Sequence, residues 1–290
     1  MADILVTGCN GQLGSELQAL SGHNRDHHFL FTDLEELDIS DPDSLERYLD
    51  DNRVDAVINC AAYTAVDKAE SEPGKAMAIN GEAPGLLAAS CKKRNIYLVH
   101  ISTDYIFDGT SSVPYREEDP PNPLSLYGKS KLAGEKAMIS QHPDGMIIRT
   151  AWLYSSFGHN FVKTILRKAR EEGRLRVVND QSGSPTYARD LAGAILEIMP
   201  KAMEMNGTRI FHYANQGHCS WFELAQAITA ITDIPCRIDP ISTAALKLAA
   251  PRPANSILDT EKIRKTFGIG IPQWQDSLRD CLDLLEKNNG

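Results

Sequence analysis

The strand-like run Asp3-Ile-Leu-Val-Thr7 passes directly into Thr7-Gly-Cys-Asn-Gly-Gln-Leu-Gly14, and residues 12–20 then follow a helical period. Few folds accept glycines at 8, 11 and 14 between a buried strand and a helix. Gly8 allows a tight turn, Gly11 lets backbone approach a pyrophosphate, and Gly14 lets helix and strand pack closely. The free N–H groups that open such a helix, and the positive end of its dipole, favour phosphate. Spaced glycines can also be turn punctuation. In this strand–loop–helix setting they predict a dinucleotide site.

The alternation continues along the chain. Residues 28–32, 54–59, 97–101 and 146–150 read as strands, and helical stretches lie between them, one opening at Pro42 behind Asp41 and one covering 73–94. Strands alternating with helices predict an α/β fold with a Rossmann-type, doubly wound parallel sheet. Residues 1–150 are expected to form this dinucleotide-binding domain, with a returning segment near 174–212. After Thr150 the rhythm loosens, so 151–173 and 213–290 are expected to form a smaller α/β substrate-binding region.

Composition narrows the partners. The 290 residues carry 30 Lys+Arg against 39 Asp+Glu, a net charge of -9, with no long basic stripe. That argues against nucleic acid and anionic membrane. No apolar run approaches the ~20 residues that span a bilayer, and Met1 leads straight into a strand without room for a signal peptide. The cysteines at 9, 60, 91, 219, 236 and 281 show no C-x-x-C pair or metal-ligand spacing. Reduced, packed thiols and a cytoplasmic location are the expectation.

The chemistry centres on Ser125-Leu-Tyr-Gly-Lys-Ser-Lys131. Tyr127 and Lys131 stand four apart and share one face of a helix. A free phenol ionises near pH ~10, and a cation held beside it favours the phenolate. Lys131 is therefore expected to move Tyr127 toward working pH. Upstream, Ser102-Thr-Asp-Tyr-Ile-Phe-Asp-Gly109 follows the fourth strand, at the end of the sheet where doubly wound folds bind ligands. The Thr103 hydroxyl can reach a substrate carbonyl and the Tyr127 oxygen, or it can simply cap a turn.

Asp33 ends the second strand, where a carboxylate accepts hydrogen bonds from the adenosine ribose and repels a 2′-phosphate. It can equally be a turn residue. With no Lys or Arg beside the glycines, the balance leans toward NADH over NADPH. Asp38 and Ile39 lie at the next loop, placed either to hold an adenine edge or to lead into a helix.

These residues together resemble the extended short-chain dehydrogenase/reductase superfamily. Within it, S-T-D-Y-I-F-D-G, N-G-Q-L-G, the run Cys60 to Glu70, the run Asp180 to Thr186, and Arg252-Pro253 with Ser256 are similar to the dTDP-4-dehydrorhamnose reductases. Nucleotide-sugar dehydratases of this superfamily carry Asp then Glu after the threonine. Here Asp104 is followed by Tyr105, which argues against dehydration.

The resemblance implies NADH- or NADPH-dependent reduction of the C4 ketone of a nucleotide sugar. Tyr127 would protonate the developing alkoxide, Lys131 would hold the nicotinamide ribose, and Thr103 would tune the proton transfer. Gly8, Asn10, Gly11, Gln12, Leu13 and Gly14 would line the cofactor, together with Asp33, Asp38 and Ile39, and with Ala62, Tyr63 and Thr64. Thr103, Asp104 and Trp152 would meet the sugar, although Trp152 also suits a core anchor. Arg252 would clamp a diphosphate or stand on the surface. Some members dimerise around Mg²⁺ through acidic residues at the C-terminus; this chain ends Leu285-Glu-Lys-Asn-Asn-Gly290, so no metal is expected and a homodimer stays open. Two alternatives share the same scaffold: another nucleotide-sugar reductase or epimerase, and a non-catalytic dinucleotide-binding regulatory subunit.

Overall fold

A computed structural model describes residues 1–22 and 27–289, the last two by backbone alone, so Asn288 to Gly290 of the tail lie outside the described side chains. The central sheet contains β1 (Ala2–Thr7), β2 (His27–Thr32), β3 (Ala56–Asn59), β4 (Tyr97–Thr103) and β5 (Gly145–Thr150), completed by Thr208–His212. Its order is β2-β1-β3-β4-β5 and then Thr208–His212, parallel throughout.

Successive strand residues point to opposite faces, and both faces are apolar. Ile4, Val6, Ile58, Val99 and Ile148 share one core with the helices Gln12–Ser21 and Ala188–Ala202. Leu5, Val57, Leu98 and Ile147 share the other with Pro42–Asp51, Ala83–Arg94 and Leu126–Ser140. Two-sided burial is why these strands read as unbroken apolar runs. The chain leaves β1 for β2 on one side and returns to β3 on the other, so a crevice opens beyond the carboxyl ends of β1 and β3.

The stretch expected as one helix over 73–94 is divided. Pro73–Met77 and Ala83–Arg94 are joined by a π-helical turn, Ala78–Glu82. Pro84 has no N–H to offer the carbonyl of Asn80, which favours a widened turn. The Asn80 side chain then braces the loop after β3, accepting from Tyr63 N–H at 2.8 Å and donating to the Tyr63 carbonyl at 2.9 Å.

The two sheet-face clusters together make the first core, and a second core gathers Val162, Ile165, Leu224, Ile228, Leu278 and Leu282 from the helices Phe161–Glu172, Trp221–Ile231 and Trp274–Asn289. The stretch near 174–212 divides between the two cores. Arg174–Val178 pairs with Arg237–Ile241 and buries Leu175 and Val177 in the second, while Ala188–Ala202 and Thr208–His212 belong to the first. Further along, Ile263 of Glu261–Phe267 also packs on the first core. All six cysteines are free, and no helix among the described residues is long and apolar enough to cross a membrane.

The helix Leu126–Ser140 is joined to the sheet by charge as well as apolar packing. Arg149 of β5 grips Glu135 through Nη2–Oε2 at 2.7 Å and Nε–Oε1 at 3.0 Å, with both side chains almost fully buried. Ser102 of β4 donates to the same carboxylate at 2.5 Å. Removing one partner of such a pair leaves an uncompensated charge, whereas replacing both is often nearly neutral. Arg149→Met should therefore cost ~3–5 kcal/mol in urea unfolding, and adding Glu135→Gln should restore a large part of it. Equal stability of wild type and single variant would show that the pair holds nothing in place.

Candidate active site

A cavity of about 830 Å³ occupies the crevice. Its floor is the glycine loop and the ends of β1, β3 and β4, and its far wall is formed by Trp152, Leu153, Gly158, His159 and Trp221. Gly8 has φ +66°, and a Cβ there would sit 2.6 Å from Ala61 N. A Cβ on Gly14 would lie 2.5 Å from Cys9 Cα and from the Gly8 carbonyl oxygen. Both collisions are with backbone, so the loop can hold this shape only with glycine. Gly11 caps the helix Gln12–Ser21 without a side-chain hydrogen bond, leaving the opening N–H groups for a ligand.

Most of the expected cofactor residues line this space: Gly8, Asn10, Gly11, Gln12, Leu13 and Gly14, then Asp33, Asp38 and Ile39, then Ala62 and Thr64. Asp33 accepts from Asn10 N–H at 2.9 Å and from Leu34 N–H at 2.8 Å, which ties the end of β2 to the glycine loop. Asp38 holds its own turn through Ser40 N–H at 2.8 Å while facing the cavity. Tyr63 is not among the lining residues. Its backbone is held by Asn80, and its hydroxyl donates to Glu72 at 2.9 Å.

Tyr127, Lys131 and Thr103 come together. Ser125 caps the helix Leu126–Ser140 by accepting from Gly128 N–H at 3.1 Å, and this directs Tyr127 and Lys131 to the cavity. Thr103 donates to Asp104 Oδ1 at 3.0 Å and accepts from Tyr105 N–H at 3.2 Å. A hydroxyl has one hydrogen, so Asp104 and the Tyr127 oxygen compete for it. Burial pushes the Tyr127 phenol up to about 12, a hydrogen bond from Thr103 pulls it down, and the Asp104 charge raises it again.

This corrects the expectation that Lys131 lowers Tyr127. The Lys131 ammonium turns to the sheet, donating to the Ile101 carbonyl at 2.6 Å, and burial pulls its own pKa down to about 8 against the Glu135 charge. Desolvation leads at both groups, and both favour their neutral forms more than free side chains do.

Asp104 is buried; burial pushes its carboxyl up to about 6, and hydrogen bonds from the Ser256 and Thr103 hydroxyls pull it back down. A carboxylate in a cavity wall has further lone pairs for a hydroxyl donor on a ligand. Trp152, at φ +47°, lies flat on Trp221 with ring centroids 3.5 Å apart and planes 6° apart. Arg252 does not line the cavity; its guanidinium forks onto Asp67 at 2.9 and 2.7 Å. Trp221, Cys60 and His100 are site residues that the sequence reading did not select. Trp221 opens the helix Trp221–Ile231, and no local spacing in the sequence marks it as facing a cavity.

The match to known proteins spans nearly the whole chain. The family described as the RmlD substrate binding domain matches residues 1–287. The dTDP-4-dehydrorhamnose reductase of Burkholderia thailandensis is 40% identical over 301 residues, covering 98% of this chain and 99% of that protein. A crystal structure of the Clostridium acetobutylicum dTDP-4-dehydrorhamnose reductase superposes with a TM-score of 0.92 at 38% identity, covering 98% of this chain and 99% of the other. The Bacillus anthracis dTDP-4-dehydrorhamnose reductase, solved in complex with NADP, also gives 0.92, at 36% identity and with coverage of 98% and 99%. With a glycine loop between strand and helix, a Thr-Tyr-Lys cluster in one cavity and this agreement along its length, the chain belongs to the RmlD family of dTDP-4-dehydrorhamnose reductases.

Proposed function

We propose that this protein reduces the C4 ketone of dTDP-4-dehydro-L-rhamnose to give dTDP-L-rhamnose. The observation that carries this reading is the meeting of Tyr127, Lys131 and Thr103 in the cavity that begins at the glycine loop. A bound nicotinamide dinucleotide would supply the hydride. The helix that opens at Gln12 would bind its pyrophosphate, and Lys131 would hold its nicotinamide ribose. Asp33 accepts from the adenosine ribose and disfavours a 2′-phosphate, so NADH is the preferred donor.

Hydride adds to C4 and the electron pair of the C=O bond moves to oxygen. Tyr127 then transfers its phenol proton to that oxygen. A phenol held near pH 12 is fully protonated at neutrality, which is the state an acid needs before the reaction. As the phenolate forms, Thr103 can turn its hydrogen from Asp104 to the phenolate oxygen, and the nearby Lys131 charge stabilises the product. Asp104 Oδ2 accepts a sugar hydroxyl, and the Trp152–Trp221 pair presents an aromatic wall to the apolar face of the ring.

Three measurements test this. Oxidation of NADH on addition of dTDP-4-dehydro-L-rhamnose, run beside NADPH, should be stoichiometric and faster with NADH; a catalyst that recycles its cofactor would instead be an epimerase, and no oxidation would leave a binding scaffold. Tyr127→Phe should lower kcat at least ~10²-fold with dinucleotide affinity little changed, so near-normal turnover removes the acid assignment. Finally, kcat/KM for NADH reports groups of the free enzyme. It should fall as pH rises through about 8, because the ammonium of Lys131, which favours both ribose binding and phenolate, is then lost. A profile flat through that region removes Lys131 from this role.

A further inference from the structure

His100 lies in the middle of β4, 1% exposed, and its ring joins a chain of polar groups that ends at Lys131. The chain starts at β1, where the Thr7 hydroxyl donates to Asn59 Oδ1 at 2.8 Å; the backbone N–H of Ala61 donates to the same oxygen at 3.1 Å. With Oδ1 taken by two donors, the Asn59 amide has one orientation, and its Nδ2 lies 3.1 Å from His100 Nδ1. An amide nitrogen only donates, so Nδ1 accepts and the ring hydrogen of the neutral imidazole is on Nε2. That Nε2 is 3.5 Å from Lys131 Nζ.

A donor therefore faces the lysine nitrogen. An amine can receive that hydrogen on its lone pair, whereas an ammonium meets it with hydrogens of its own. Resting on the assignment of Lys131 to the cofactor ribose, we propose that His100 is a positioning residue, presenting Nε2–H to Lys131 so that amine and ammonium stay close in free energy. Lys131 Nζ is fixed from the other side by the Ile101 carbonyl at 2.6 Å, so the imidazole also limits where the nitrogen can move.

The other groups around the lysine leave this effect visible. Cys60, from the end of β3, is a neutral thiol pushed up to about 12 by burial. Glu135, on the lysine's own helix, favours the ammonium but is gripped by Arg149 and Ser102. His100 cannot take up the charge instead, since burial, and then the Lys131 charge, hold it well below its ordinary value.

The test has two arms, neither of which needs the sugar substrate. In protein labelled with ¹⁵N-histidine, the His100 signal, identified by its loss in His100→Asn, should show a neutral ring with hydrogen on Nε2 through neutral and mildly alkaline pH. A hydrogen on Nδ1, or an imidazolium, overturns the proposal. The second arm follows the Kd for NADH against pH by nicotinamide fluorescence. Asn at 100 keeps an acceptor for Asn59 but has no group in place of Nε2–H, and Gln at 100 can offer Lys131 a carbonyl. In both, the weakening of NADH binding at alkaline pH should move up by about half a pH unit or more. Curves that superimpose on wild type would make His100 a packing residue only. Absence of ketone reduction in the wild type would instead sink the proposed function while leaving both arms readable.

Discussion

The active site depends on ionisable groups buried in the seam between the helix Leu126–Ser140 and the sheet. Lys131 and Glu135 are one turn apart and 2% and 1% exposed. Neither would be tolerated there alone, since an unpaired buried charge costs several kcal/mol. Glu135 is matched by Arg149 and Ser102, from the two strands on which the helix lies. Lys131 is matched by a backbone carbonyl and a neutral ring on β4. The bonds that make the helix compatible with its charges also set its rotation and height, so Tyr127 reaches the end of β4 where Thr103 waits. Rigid elements hold a catalytic geometry more closely than loops do.

The second half of the cavity is held across the two cores. Gln12, at the start of the glycine-loop helix, accepts from Asn160 Nδ2 at 2.9 Å. One turn further along the helix, buried Glu16 accepts from Ser155 at 2.6 Å and meets Arg189 at 3.4 Å. The dinucleotide loop is thereby tied to the wall that carries Trp152 and its stacked partner. The glycine loop and the Trp152–Trp221 wall thus face one cavity as a single surface.

How much of this was legible depends on whether the determining partners were local. The sheet was readable because Ile4, Leu5 and Val6 are all apolar, which a strand covered on both faces requires. Gly8 and Gly14 were readable because their constraint is steric and lies in neighbouring backbone. The pair Tyr127 and Lys131 was readable because helical spacing alone puts them on one face. Arg252 was not: its guanidinium serves Asp67, 185 residues away. Tyr63 sits in a motif with cavity residues on both sides, yet Asn80 and Glu72 turn it elsewhere. The break in the 73–94 helix has a signal in Pro84, which has no N–H for the Asn80 carbonyl, but the width of the turn is not written in any local pattern.

Electrostatics showed the clearest departure from what residue types suggest. Placing a lysine near a tyrosine predicts a lowered phenol, because the pairwise attraction is easy to name while desolvation has no sequence motif. Here the phenol and the ammonium are both removed from water, and each shifts toward its neutral form. For a reductase this direction is chemically suitable. On the acid role proposed for Tyr127, the resting site needs a protonated phenol, and its charge-stabilising elements matter only once negative charge develops on the substrate oxygen and then on the phenolate. A low-dielectric cavity strengthens those interactions at that moment. The same desolvation that works against isolated ionisation thus favours charge separation that is paired and brief, and the Thr103 hydrogen, shared between Asp104 and Tyr127, can follow the charge as it moves.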